Sequence, residues 1–191
     1  GARHEKLDDK LSDAQHVQNF INDMARPLVT MVSNRDEHEM LRKSELPVMK
    51  MFVNGKDNSD RQNRKNMFRN RLSKVAVNYK NKMTFAVSDD VEGGANHELE
   101  EFGISSADLP TIIIRKGSLK YKFEPKGDED KKFKAATFKA FADDYLAGNK
   151  LSPYLKSQEL PAEPTDDEPV QVVVGKNFND IVMDKSKNVL L

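Results

Sequence analysis

Three short segments contain residue types used in catalysis or cofactor binding, but each lacks part of the required pattern. His97-Glu98 could begin a two-histidine zinc site on a helix, except that Glu101 occupies the position of the second histidine. Gly175-Lys176 follows an apolar segment, yet Val170 stands where a phosphate-binding loop needs a glycine. Gly93-Gly94 lacks the third glycine of a dinucleotide-binding turn. Because there is also no cysteine to supply a thiolate, we predict no catalytic group, metal or cofactor in this chain.

The composition fits one folded domain of ordinary size with additional ends. The chain has 191 residues, of which 37% are hydrophobic and 32% are charged. Lysine plus arginine equals aspartate plus glutamate, at 31 each. This balance argues against a general nucleic-acid or membrane partner.

The two ends of the sequence indicate that a targeting segment lies outside it. Gly1–Lys10 is charged throughout and lacks the apolar stretch of a signal peptide. No apolar stretch approaches the ~20 residues that a membrane span needs. Asn188–Leu191 begins an apolar segment with nothing after it. We therefore expect a fragment of a longer chain rather than a complete cytosolic protein.

Apolar periodicity predicts five strands and four helices between residues 28 and 146. The strands are Leu28–Val32, Pro47–Val53, Met83–Val87, Thr111–Arg115 and Leu119–Phe123. The helices begin at Asn34 or Asp36, run from Ser59 or Asp60 to about Tyr79, from Glu98 to Phe102, and from Phe133 to Leu146. Strands and helices alternate first and a hairpin follows, so the order predicts an α/β fold: a central mixed sheet with helices on both faces.

The long second helix has an apolar stripe and a basic remainder. The stripe residues are spaced by threes and fours and are predicted to point inward: Met67, Phe68, Leu72, Val75, Ala76 and Tyr79. The remainder is covered by Arg61, Arg64, Lys65, Arg69, Arg71 and Lys74. Outside the central unit, the sequence predicts a helix at Ser12–Met24, an acidic proline-rich linker, a strand at Val170–Val174 and a short helix at Asn177–Val182.

Several of these segments resemble one family. Lys156–Pro161 and Pro169–Phe178 closely resemble the junction that leads into the second catalytic domain of protein disulfide-isomerases. Four internal segments are similar to the preceding non-catalytic domain, called b-prime: Phe85–Val87, Glu101–Ile104, Leu109-Pro110 and Asp144–Gly148. Phe68–Arg71 looks like the branch whose best-known member partners calnexin and calreticulin.

The resemblance implies a thioredoxin-like fold without a redox motif and divides the chain into four parts. Residues 1–27 would be the tail of a preceding thioredoxin-like domain, and residues 28–155 the b-prime domain. Residues 156–169 would be the acidic linker, and residues 170–191 the truncated start of the next thioredoxin-like domain. The fold also places Pro110 where its relatives have a structural cis-proline before a central strand.

The resemblance further implies two binding surfaces. Unfolded or misfolded polypeptides would occupy an apolar cleft, whose matching positions here are Met40, Leu41, Val48, Leu99 and Phe102. The acidic arm of calnexin or calreticulin would dock on a basic helix, at Arg64, Lys65, Arg69 and Arg71. For each set the alternative is structural: the apolar side chains would fill the core, and the basic ones would form a solvated helix face.

The leading interpretation is therefore a non-catalytic, substrate- or chaperone-binding domain of an isomerase in the endoplasmic reticulum lumen, where it would assist oxidative protein folding. One alternative is a calsequestrin-like calcium-binding protein of thioredoxin fold, which would need dense acidic clusters. Another is an enzyme that does not use thiols, for which the sequence offers no set of catalytic residues.

Overall fold

A computed structural model describes residues 13–15, 17–18, 27–56, 60–156, 160, 170–186 and 188–190. Within these residues the strands are β1 (Val29–Met31), β2 (Val48–Val53), β3 (Thr84–Asp89), β4 (Thr111–Lys116) and β5 (Leu119–Lys122). The α-helices are α1 (Arg35–Arg42), α2 (Arg61–Ala76), α3 (Ala95–Glu101), α4 (Ala135–Leu146) and α5 (Phe178–Val182). The predicted Ser12–Met24 helix and the 156–169 linker lie largely outside the described residues. None of the described helices has the length and apolar character to span a bilayer.

The five strands form one mixed sheet in the order β1-β3-β2-β4-β5. Strands β1, β3 and β2 are parallel, whereas β4 is antiparallel to β2 and β5 is antiparallel to β4. Lys50, near the middle of the central strand β2, pairs with Ala86 on one side and Ile113 on the other. The predicted mixed sheet is therefore confirmed.

One face of the sheet supports the larger core. Met49, Met51 and Val53 project from β2 to this face, because alternate residues of a strand point the same way. They pack with the apolar stripe of α2 and with the inner side of α4, chiefly Phe68, Leu72, Val75, Phe138 and Phe141. Aromatic rings fill much of the space, with Phe123 lying 5.3 Å from Phe141 between ring centroids. The side-chain packing on this face holds α2 against the end of β2.

The opposite face has two small apolar clusters instead of one continuous core. The first joins Leu41 of α1 to Val48, and it also contains Val32 and Ala86. The second cluster contains Leu99 of α3 and Phe102, which follows α3. These two side chains pack with Phe52, Ile113 and their neighbours. Lys50 lies on the same face of β2 between Val48 and Phe52, and it is fully buried. A charged residue therefore separates the two clusters.

Local sequence determines several helix ends. The Asn34 side chain accepts a hydrogen bond from the backbone N–H of Glu37, which caps α1 as predicted. Gly103 and Gly148 adopt φ of +60° and +77° just after α3 and α4, where a left-handed residue ends a helix. The predicted start of the last helix at Phe133 is wrong, because that residue has φ of +44° and α4 begins at Ala135.

The predicted strand at Val170–Val174 is also wrong, since the structure shows no strand there. Backbone groups of this segment bond to a side chain rather than to a neighbouring strand. The Asn177 Oδ1 accepts from the N–H of Val174 at 2.7 Å, and its Nδ2 donates to the Val172 carbonyl at 3.1 Å. The predicted short helix follows as α5.

The packing of the larger core predicts that removing one aromatic ring strongly lowers the free energy of unfolding. Phe138→Ala should lower the free energy of unfolding by about 3–5 kcal/mol, because the ring is fully buried and its loss leaves a cavity. Urea unfolding followed by circular dichroism measures the change. Lys74→Ala, on the exposed side of α2, is the control and should stay within about 0.5 kcal/mol of the parent. A loss below about 1 kcal/mol for Phe138→Ala would contradict this description of the core.

Candidate functional site: a buried charge cluster and an apolar groove

A charge cluster is buried between the sheet and helices α1 and α3. The Lys50 Nζ lies 2.5 Å from the Glu98 Oε2 and 3.2 Å from the His38 Nδ1. All three side chains are at most 3% exposed. The Arg115 Nε donates to the other Glu98 oxygen at 3.3 Å. Every charged atom in this group therefore has a partner of the kind that a buried charge requires.

The charges around Glu98 keep it ionised despite its burial. Burial by itself raises the pKa of this carboxyl. The hydrogen bond from His38 and the charges of Lys50 and Arg115 outweigh burial and lower the pKa to about 2. Burial also lowers the pKa of Lys50, and the attraction of Glu98 partly offsets this.

Ser88, His38 and Glu98 follow one another in the order of a catalytic triad, but the serine is not presented to a substrate. The Ser88 Oγ lies 3.2 Å from the His38 Nε2, and the His38 Nδ1 lies 3.4 Å from Glu98. Ser88 is fully buried, and its hydroxyl donates to the Asp89 carbonyl at 3.3 Å. Lys50 contacts both the carboxylate and the imidazole, so the three side chains serve as partners of a buried charge.

The two histidines near α3 have different environments, and neither is placed for a metal. His97 is 73% exposed, whereas the side chain of the adjacent Glu98 is only 3% exposed. The His97 Nε2 instead lies 3.3 Å from Glu101, within the same helix. The residues that the structure describes contain no group of three or more side chains arranged to hold a metal ion.

An apolar groove lies at the end of β2, beside the first two turns of α2. Its main cavity has a volume of about 590 Å³. The lining residues are Val53, Asn54, Lys56, Arg64, Met67, Phe68, Leu109 and Pro110. A second cavity of about 450 Å³ shares Leu109 and Pro110 with the first. The Leu109-Pro110 peptide bond is cis, which agrees with the structural role expected of Pro110.

Hydrogen bonds hold the loops around this groove in place. The buried Asp90 accepts from the Gly55 N–H at 2.6 Å and from the Ser106 hydroxyl at 2.7 Å. A Cβ at residue 55 would lie 2.8 Å from the Val91 side chain and 3.0 Å from the Asp89 carboxylate, so a larger residue would force these side chains to shift. Arg61 donates to Asp89 at 2.5 Å, which attaches the start of α2 to the end of β3. The groove is therefore largely preformed, as ligand sites usually are.

The predicted apolar cleft needs correction. Leu41, Val48, Leu99 and Phe102 are at most 4% exposed, whereas Met40 is 59% exposed. The four buried residues belong to the two separate clusters on either side of Lys50, so they form no common wall. The physical reason is the Lys50–Glu98 pair, which fills the space between α1 and α3. Four of the five positions are core, and Met40 lies outside the main groove.

The predicted basic helix is only partly available to a partner. Lys65 is buried and donates to the Val32 carbonyl at 2.9 Å and to Glu92 at 2.7 Å. Arg71 donates to the carbonyls of Lys132 and Phe133 at 2.8 and 3.1 Å, so it attaches α2 to the segment before α4. Two corrections follow: Lys65 and Arg71 have structural roles in this fold.

The other two predicted basic positions remain at the surface of α2. Arg64 donates to the Asn54 carbonyl at 3.0 Å and lines the main cavity. Arg69 is exposed and lies outside the residues that line either cavity. Only these two of the four positions could therefore contact a docked chain directly.

Sequence reasoning missed the groove because it placed Met67 in the core. Met67 is 38% exposed and lines the main cavity, next to the buried Phe68. The signal that would have located it is the antiparallel pairing of β2 with β4, which the sequence analysis did not predict. Thr111 pairs with Phe52, so Pro110 must lie beside Val53, where the strand ends. This pairing register locates the groove without reference to side-chain positions.

This arrangement of a mixed five-stranded sheet, flanking helices and a cis-proline agrees with the comparison of the sequence with known families. Residues 1–144 match the family model described as a thioredoxin-like domain. The chain belongs to this family. It has no cysteine and so no thiol redox site of its own.

Curated relatives of this thioredoxin-like chain include protein disulfide-isomerases. That of Gallus gallus is 35% identical over 118 residues, which are 61% of this chain and 22% of that protein. Protein disulfide-isomerase A4 of Mus musculus is 28% identical over 182 residues, which are 94% of this chain and 26% of that protein. The chain therefore spans about a quarter of the length of these two relatives.

Solved structures share the fold. The bb fragment of ERp72 superposes with a TM-score of 0.57 at 21% identity, covering 74% of this chain and 58% of that chain. Human ERp44, form II, superposes with a TM-score of 0.51 at 24% identity, covering 73% of this chain and 35% of that chain. At these identities the likeness supports the thioredoxin-like architecture and nothing more specific.

The low pKa of Glu98 predicts a dependence of stability on acid. The folded pKa of about 2 lies below the ordinary value of 4.5, so the contribution of Glu98 is complete above about pH 5. It is lost as the pH falls toward 2. We expect Glu98 to contribute on the order of 3 kcal/mol to this loss, measured by urea unfolding at a series of pH values.

Substitution distinguishes the contribution of Glu98 to the acid dependence of stability from that of the other acidic residues. Glu98→Gln should remove this part of the acid dependence, whereas Glu100→Gln, an exposed position in the same helix, should leave it intact. If an unpaired Lys50 prevents Glu98→Gln from folding, the double variant Lys50→Met/Glu98→Met removes both charges and gives the same comparison. An unaltered acid dependence in the folded variant would show that Glu98 is not its source.

Proposed function

We propose that this chain is a non-catalytic polypeptide-binding domain of a protein disulfide-isomerase. The observation that supports this most directly is the preformed apolar groove beside Pro110, on a thioredoxin-like fold that has no cysteine. The proposal keeps the function suggested by the sequence but moves the site. Its walls are Val53, Met67, Phe68 and Leu109 rather than the residues packed under α1 and α3.

The chemistry of the groove suits unfolded polypeptide. Apolar burial is non-directional, so one groove can accept different side chains at about 25 cal/mol per Å². Met67 adds an adaptable thioether at the surface of the groove. The volume of about 590 Å³ is within the range of small-molecule pockets and accommodates a large apolar side chain with part of its backbone.

The division of the chain and its cellular compartment form part of the same proposal. Residues 28–155 would be the binding domain, preceded by the tail of one thioredoxin-like domain and followed by a linker and the start of another. The parent isomerase would supply the thiol chemistry. The similarity to protein disulfide-isomerases supports a location in the endoplasmic reticulum lumen, where such a domain would present unfolded chains to catalytic neighbours.

Docking of an acidic chaperone arm on α2 remains a weaker part of the proposal. Arg69 is exposed, and Arg64 borders the groove. Lys65 and Arg71 contribute less because their head groups bond within the domain. The calsequestrin-like alternative has less support still, because the acidic and basic residues of the whole chain balance.

The relocated groove predicts that two exposed methionines respond differently to the same change. Met67→Glu should weaken binding of a labelled, apolar, cysteine-free peptide at least about tenfold, because it places a charge at a wall that buries apolar surface. Met40→Glu, on α1 and outside the lining, should alter the dissociation constant by less than about twofold. Fluorescence anisotropy titration measures both.

The pair of variants distinguishes the two possible sites. Both residues are surface methionines, so neither change should prevent folding, and circular dichroism checks this. A larger effect at Met40 than at Met67 would return the site to the α1 face. No detectable peptide binding by the parent chain would remove the proposed function.

A further inference from the structure

The thioether of Met67 is a sulfur group in the wall of the main cavity. Met67 is 38% exposed and lines this cavity together with the buried ring of Phe68. The other lining residues that the structure describes are valine, leucine, proline, asparagine, lysine and arginine, none of which contains sulfur. The chain has no cysteine and no tryptophan. A mild oxidant such as a peroxide can therefore alter the described lining of the groove only at Met67.

Burial divides the methionines that the structure describes into two main groups. Three of them are buried in the larger core: Met49, Met51 and Met83. Three others are exposed at the surface: Met40, Met67 and Met183. Oxidation of a side chain depends on its access to the oxidant, so a peroxide should reach the exposed group first. Within that group, only Met67 lines either cavity.

Oxidation would reverse the property for which Met67 suits the groove. A lone pair of the thioether sulfur attacks one oxygen of hydrogen peroxide, the O–O bond breaks, and the other oxygen leaves as water after proton transfer. The sulfur is oxidised by two electrons and becomes a polar, chiral sulfoxide. An apolar client would then have to cover a strong hydrogen-bond acceptor, which is unfavourable without a donor. The side chains of Val53, Phe68 and Leu109, which form the apolar wall, have no donor to offer.

From this position and chemistry we infer that Met67 is a modification site at which a peroxide reversibly switches client binding off. The reduced chain holds an apolar segment in the groove, and oxidation of this one sulfur atom releases it. Enzymatic reduction of the sulfoxide restores the apolar wall. The inference rests on the proposed function, because it names the regulation of the same groove. It gives a redox response to a thioredoxin-like domain that has no thiol.

Peroxide treatment of the full chain tests the switch. A labelled apolar peptide without cysteine or methionine is titrated by fluorescence anisotropy before and after treatment, with the peroxide removed first. Peptide mapping by mass spectrometry measures the sulfoxide at each methionine. Oxidation of Met67 should weaken binding at least about fivefold, because the wall becomes polar. Treatment with the two methionine sulfoxide reductases, one for each epimer, should restore the parent affinity to within about twofold.

Two conservative variants assign the effect to one sulfur atom. Met67→Leu keeps an apolar side chain of similar volume and removes the thioether. Whatever its affinity before treatment, its dissociation constant should change by less than about twofold on exposure to peroxide. Met40→Leu removes an exposed sulfur that lies outside both cavities, so this variant should lose affinity as the parent does. Circular dichroism before and after treatment checks that the fold is retained.

A bound client should also protect Met67 from the oxidant. Saturating peptide should slow the oxidation of Met67 at least about threefold, because the client covers the sulfur, and leave the rate at Met40 unaltered. The same mass-spectrometric map measures both rates in one sample. Equal rates at Met67 with and without bound peptide would overturn the inference, since the sulfur would then lie outside the contact.

The remaining outcomes separate the switch from the function on which it rests. No binding by the untreated parent would overturn the proposed function together with the switch. Binding that stays unaltered after Met67 is fully oxidised would overturn the switch alone. An equal loss of affinity in treated Met67→Leu and treated parent would overturn it by assigning the effect to another methionine. A Met67 that stays reduced while Met40 is oxidised would overturn it as well.

Discussion

The ion pair between Lys50 and Glu98 is the constraint on which this side of the domain depends. It joins the middle of the central strand to α3, and it adds His38 of α1 through the same amine. Removing one member of such a pair leaves a buried charge, which typically costs about 3–5 kcal/mol. Because the pair and its partners fill the space between the two helices, the apolar side chains beside it are packed as core. The site that we propose therefore lies at the end of β2.

The groove exists because three separated loops are attached to one another. Asp89 and Asp90 end β3, and their carboxylates bond to the start of α2, to Gly55 after β2 and to Ser106 before β4. These bonds hold Val53, Phe68 and Pro110 around a space that no side chain of the described residues fills. The acidic residues of the loops are thus used in fixing the groove. Arg64, which borders the groove, donates to the Asn54 carbonyl and so contributes to the same loop attachments.

The sequence predicted the sheet well because near-continuous apolar runs, as in β2 and β4, are a direct consequence of burial on two faces. It also gave Asn34 as one of two possible caps of α1, and the family resemblance made Pro110 a candidate for the cis bond that the structure has. It did not predict the site, because an apolar side chain such as Leu99 has the same periodicity whether it lies under a helix or lines a groove. The buried Lys50 determines whether such side chains pack under a helix or line a groove. Its partners, Glu98 and His38, are distant from it in sequence. Likewise, a lysine such as Lys65 on a helix gives no sign that its amine reaches a carbonyl of another segment.

Without a thiol, the groove can hold a client only by reversible contacts, and this limits what one domain can do. Burying a single large apolar side chain contributes about 1.5–3 kcal/mol, whereas a micromolar dissociation constant corresponds to roughly 8 kcal/mol. One groove of this kind is therefore expected to bind a client weakly and to release it fast. Useful retention therefore requires a second contact on the same client. Within a longer isomerase, the effective concentration created by the connecting linker would supply it, while fast release from each site leaves the client free to reach the catalytic cysteines.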